Sequence, residues 1–153
     1  MSKEPPIDVP LAHKYFAVTC FNTTWGLIDK ENRTPEDDEQ MIRLTHAATW
    51  HWTQREDCTS REMSIGYWQA SRVYTLVGQS ENAVRYGQLC LDVSPADDPF
   101  CVGFACEALA RAESLRGESE RAAEHLAEAR KQAEAISDDE DKQLLLGDLE
   151  TIA

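Results

Sequence analysis

Apolar side chains along this chain recur at alternating steps of three and four, the period of a helical face, and no segment shows the alternation of a strand. Leu11, Tyr15, Val18, Asn22, Trp25 and Ile28 make one such stripe, which predicts a first helix ending near Lys30. Within the E-N-R-T-P-E-D-D break, Thr34 is placed to cap and Pro35 to be the first helical residue. Glu36, Asp37, Asp38 and Glu39 then complement the positive end of the helix dipole. The second helix should reach about Glu56, with Met41, Thr45, Ala48 and Trp52 on one face and Ile42, His46, Thr49 and Thr53 on the next. Residues 1–8, polar and with two prolines, are expected to fray.

The remaining segments are predicted the same way. Thr59-Ser60-Arg61-Glu62 is a capping-box pattern opening a third helix that stops at Gly78. Ser80 is placed to cap a fourth, which carries Ala83, Tyr86, Cys90 and Val93 to a Ser94-Pro95 stop. Asp98-Pro99 opens a fifth helix running to Gly117, and a sixth covers about 119–136 with Ala122, Leu126, Ala129, Ala133 and Ile136 in step. Ser137-Asp138-Asp139-Glu140 repeats the capping-box pattern before a seventh helix with Leu145, Leu149 and Ile152. The expected fold is all-α.

Within residues 64–95, small and aromatic residues fall where two antiparallel helices would touch: Tyr67, Ser71, Tyr74, Gly78, Ala83, Cys90 and Pro95. Ala110, Gly117, Ala122, Leu126 and Ala129 repeat the pattern over about 103–130. This resembles the tetratricopeptide repeat, a helix pair of about 34 residues. The chain also resembles small bacterial proteins built from such repeats that lack an assigned activity. The resemblance implies a short right-handed α-α superhelix of about three antiparallel hairpins with a C-terminal capping helix. Residues 1–153 would form one domain: a degenerate first hairpin at 9–56, repeats at 60–95 and 98–136, and a cap at 138–152. Two departures stand out. The first hairpin has no glycine turn, and Gly87 occupies a position where the family prefers a large apolar residue. A mid-helix glycine costs about 1 kcal/mol against alanine, so Gly87 should admit a bulky neighbour, with a tryptophan as the candidate.

Composition narrows the function. A net charge of −13, from 28 acidic and 15 basic side chains, repels phosphate backbones and argues against nucleic-acid or anionic-membrane partners. Residues 63–106 hold only four acids (Glu81, Asp92, Asp97, Asp98) and two bases (Arg72, Arg85), which marks them as core. No run approaches 18 apolar residues, and MSKEPPIDVP has no apolar stretch before a small-residue cleavage site. The five cysteines are odd in number and form no C-x-x-C pair, which suits reduced thiols and a cytoplasmic location.

Tetratricopeptide arrays bind along the concave face lined by the first helix of each repeat. Carried onto the matching positions, the resemblance implies a groove of Trp68, Arg72 and Thr75 from one repeat and Glu107, Arg111 and Ser114 from the next. Arg72 and Arg111 then either clamp a carboxylate, such as a peptide C-terminus, or pair with Glu107 and solubilise the face. The tryptophans (25, 50, 52, 68) with Tyr15, Tyr67 and Tyr74 offer an aromatic cage or simply core. Asn22 and His46 interrupt apolar surfaces and are expected to bond each other or a ligand.

Metal and cofactor binding find no support. His46 and His51 point about 140° apart on a helix, and no Cys–His spacing matches a structural zinc site. The acids at 36–39 and 138–141 lack the spacing of a calcium loop, and no nucleophile elbow or phosphate loop is present. The expectation is a non-catalytic adaptor for a protein or peptide segment, with homo-oligomerisation open because terminal apolar faces need cover. The alternative is a small-molecule module using the aromatic N-terminal half.

Overall fold

The computed structural model describes residues 3, 4 and 6–152, and among these the chain is all-helical, with seven helices and no strand. They are α1 (Val9–Ile28), α2 (Pro35–Thr53), α3 (Ser60–Leu76), α4 (Ser80–Val93), α5 (Pro99–Arg116), α6 (Ser119–Ala135) and α7 (Asp139–Glu150). The contacts divide the chain into two compact units, Met1–Thr59 and Ser60–Ala153. The expected frayed start includes residues 1, 2 and 5, which lie outside the described residues. Beyond them Asp8 caps α1, its carboxylate accepting from the Leu11 amide at 3.1 Å.

In the first unit α1 packs on α2. Thr34 caps α2 as expected, and Asp37 answers it to form a reciprocal capping box. The α1–α2 turn has no glycine, and Asn32 adopts the left-handed conformation (φ +56°) instead. Asparagine tolerates that region better than most residues. Arg33 ties the turn down, donating to the Ile28 carbonyl at 3.0 Å and the Asp38 carboxylate at 3.1 Å. Met41, Thr45, Ala48 and Trp52 are the buried residues of α2, as their period predicts.

The expected core stripe of α1 faces the other way. Leu11 and Tyr15 are each 61% exposed and Val18 is 46% exposed, whereas Ala17 and Thr24 are fully buried. This helix is apolar almost all round, so hydropathy gave no basis for choosing a face. Its small residues permit the close approach to α2.

In the second unit α3–α4 and α5–α6 are hairpins of the same construction, offset by 39 residues. Gly78 (φ +81°) and Gly117 (φ +86°) occupy the two turns. The next amide donates back to the carbonyl five residues earlier in both, Gln79 to Tyr74 and Glu118 to Glu113, each at 2.9 Å. This tight closure makes Ser80 the first residue of α4 rather than its cap. Gln79 precedes the helix without a side-chain capping bond. Asp138, not Ser137, caps α7 by accepting from the Asp141 amide.

Ser71, Ala83 and Ala110 are fully buried and Ala122 half-buried. The Ser71 hydroxyl also donates to the Ala83 carbonyl at 2.8 Å across the first hairpin. Gly87 makes room for Leu109 rather than for a tryptophan: a Cβ there would lie 3.0 Å from a Leu109 methyl. Gly103 does the same for Leu145 of α7, where a Cβ would come within 2.6 Å. α5 packs on both α3 and α4, and α7 on both α5 and α6, so α7 extends the repeat-like stacking by half a hairpin.

Candidate functional site

A buried charge lies at the centre of the helix contacts of the second unit. Glu107, in the middle of α5, is completely excluded from solvent. Its Oε2 accepts from the Trp68 indole N–H at 2.8 Å. Its Oε1 accepts from Arg72 at 2.8 Å and from two nitrogens of Arg111 at 2.9 and 2.8 Å. Trp68 and Arg72 are one turn apart on α3, and Glu107 and Arg111 one turn apart on α5. The 39-residue offset therefore places Arg72 and Arg111 at equivalent positions on neighbouring first helices. A buried carboxylate is expensive unless paired and fully hydrogen-bonded, and here both oxygens are satisfied.

The last turn of α7 completes the network. Arg111 donates to the Asp148 carbonyl at 2.9 Å and to the Thr151 hydroxyl at 2.7 Å. Arg72 sits over the Trp68 ring at 5.4 Å and faces the Asp148 carboxylate at 3.6 Å. Burial, and then the nearby Glu107 charge, raise the Asp148 pKa against the opposing pull of Arg72 and Arg111. Of the two arrangements open from sequence, the pairing with Glu107 is the one present: the arginines already hold a carboxylate, the chain's own. Only the looser contact between Arg72 and the more exposed Asp148 has the character of an exchangeable one.

The other groove residues lie one turn further along. Thr75 is half-buried, and its hydroxyl donates to the Ser71 carbonyl at 3.0 Å. Ser114, its equivalent on α5, is also half-buried. The structure thus brings Trp68, Arg72, Glu107 and Arg111 into one network, with Thr75 and Ser114 beside it.

Asn22 and His46 do not behave as a buried polar pair. Asn22 is exposed because it lies on the outward stripe of α1, and His46 is half-buried on α2. His13 and His51 do make a polar contact across this hairpin, with their Nδ1 atoms 2.8 Å apart. The two residues are separated by 38 positions, so no local spacing could have shown it. Desolvation, and then the His13 charge, lower the His51 pKa.

The tryptophans are divided between the two units. Trp68 belongs to the second unit, edge-on to Phe104. In the first unit Trp52 and Trp25 both contact Phe21, while Trp50, 55% exposed, meets His13 and His51. An open cleft of about 580 Å³ lies at that end of the first unit, lined by residues including Leu11, His13, Lys14, Arg55 and Asp57.

The three buried thiols are poor nucleophiles. Burial pushes Cys90 up to about 12 and Cys101 and Cys106 up to about 11, and no disulfide joins any of the five cysteines. Among the described residues no three His, Cys, Asp or Glu side chains converge as metal ligands, and no helix is long and apolar enough to cross a membrane. No family model, curated protein or solved structure matches the chain.

Proposed function

We propose that this protein is a non-catalytic adaptor of the tetratricopeptide type that takes a carboxylate-bearing peptide segment along the face formed by α3, α5 and α7. The reading rests on one observation. Arg72 is cushioned on Trp68, fixed by the buried Glu107, and turned toward Asp148 at a distance too long for a hydrogen bond. A guanidinium held in this way is preorganised for a planar carboxylate, and a partner's acid would take the place of Asp148. The Glu107 network acts beneath it as the frame that keeps the first helices in register. The raised pKa values of Cys90, Cys101 and Cys106 fit a protein without nucleophilic chemistry, and a reducing, cytoplasmic setting accords with five cysteines that form no disulfide.

Calorimetry with a panel of peptides that lack Asp and Glu and end in a free or an amidated C-terminus tests this. Free C-termini should bind, and Asp148→Asn, which removes the internal competitor, should bind them more tightly. Equal binding of free and amidated peptides, or no tightening in Asp148→Asn, would refute it.

A second reading is supported by the open cleft lined by Leu11, His13 and Arg55, whose size suits a small ligand. A metabolite that raises the melting temperature of wild type but not of His13→Ala, which alters the cleft lining, would favour that reading over the groove.

A further inference from the structure

The outward face of α1 has the form of a helix–helix seam. Leu11, Tyr15, Val18, Asn22 and Trp25 are spaced 4-3-4-3, the repeat by which one helix buries itself against another in a coiled coil. The face is nevertheless open: Leu11, Tyr15 and Val18 are exposed to the extents given above, Asn22 is exposed, and only Trp25 is half-buried. Asn22 stands where a single polar residue in such a seam fixes register and partner number.

The apolar surface extends sideways. Tyr15 contacts Phe16 at 5.2 Å between ring centroids, Phe16 contacts His51 at 5.5 Å, and His51 contacts Trp50 at 4.9 Å. Five exposed apolar side chains, each leaving on the order of 100 Å² uncovered, make a patch of about 500 Å² before any polar rim is added. That is at the upper end of what monomers expose, and with its rim it approaches the roughly 800 Å² per partner of a stable interface.

Charge selects the occupant. Lys14 is the sole charged side chain in the 20 residues of α1, and no acid lies between Asp8 and Asp29. In a chain of net charge −13, most surfaces would repel a second copy, and this one would not. We infer that two copies of this chain dimerise through α1, with the Leu11-Tyr15-Val18-Asn22 seam of one packed on the same seam of the other. The contact is isologous, so both exposed faces are covered at once and the assembly closes at two. The Asn22 amide of each copy then finds its hydrogen-bond partner across the two-fold axis.

Light scattering on the full chain across a concentration series should give twice the 17.3 kDa monomer mass. Tyr15→Glu/Val18→Glu places unpaired charges in the seam and should weaken association by about a hundredfold or more, with far-UV circular dichroism unchanged. Leu144→Glu, at an exposed apolar position of α7, should leave the dimer intact. Asn22→Leu should tighten association or raise its order, because it removes the polar specifier. A wild-type monomer at every concentration overturns the inference. So does a dimer that survives Tyr15→Glu/Val18→Glu, or an Asn22→Leu protein whose association is unchanged.

Discussion

The two units solve the same packing problem with different side chains. In Ser60–Ala153 the helices meet through residues of minimal bulk, turn on glycines in the left-handed region, and close over a buried carboxylate that bonds to three other side chains. In Met1–Thr59 two longer helices meet through fewer buried residues and turn on an asparagine. They leave Leu11, Tyr15, Phe16 and Trp50 substantially exposed. The contrast teaches that one helix pair cannot bury both sides of an apolar helix, whereas stacked pairs can. α5, with helices on several sides, is buried along nearly its whole length; α1, paired with α2 within its own unit, is buried along a single stripe.

The largest test of this contrast is Glu107→Ala. It leaves two largely buried guanidinium groups without their shared acid and should cost about 3–5 kcal/mol, read as a lowered urea midpoint. Among the described residues no ion pair of the first unit is buried to that degree, so Lys30→Ala at the exposed Lys30–Asp37 pair should move the midpoint far less.

Next comes the close approach of helices. Ala110→Leu should lose about 1–3 kcal/mol by overpacking, while Ala123→Leu, on the exposed side of α6, should be near neutral. Equal effects would mean that the small residues are not what sets the helix spacing.

The turns differ more subtly. Gly117→Ala forces a Cβ into the left-handed region and should cost about 1–2 kcal/mol in thermal unfolding. Asn32→Gly, at a site already tolerated by asparagine, should stay within about 0.5 kcal/mol of wild type.

The smallest effect concerns pH. His51 has a lowered pKa in the folded protein, so the unfolded chain binds the proton more readily. The stability contribution is therefore full above the ordinary histidine value and is lost as pH falls below it, through the depressed value. Urea midpoints at pH 7.5 and 5.5 should show this loss in wild type and a shallower one in His51→Asn. An identical pH dependence in the two proteins would show that the His13–His51 contact contributes nothing.

Much of the second unit could be read from its residues. Gly78 and Gly117 announce their turns because few other residues accept positive φ, and Asp98-Pro99 announces a helix start because cap and first residue have separate, local requirements. The candidate site was legible only as a set of positions. The 39-residue offset paired Arg72 with Arg111, but whether they would meet solvent, a ligand or Glu107 depended on where α7 ends. The first unit was less legible. The face of α2 followed from its polar side, whereas α1 lacked one, and the His13–His51 contact joins residues on different helices.

What the sequence alone determined is the all-helical character, the helix ends and the repeated hairpin, since these follow from propensity, capping and periodicity within a few residues. Only the tertiary structure decided which side of α1 turns inward and that the groove arginines would grip Glu107. It also decided that Leu109 and Leu145 would fill the spaces left by Gly87 and Gly103. Those outcomes depend on which surfaces come within van der Waals and hydrogen-bond distance across helices, and no local pattern carries that information.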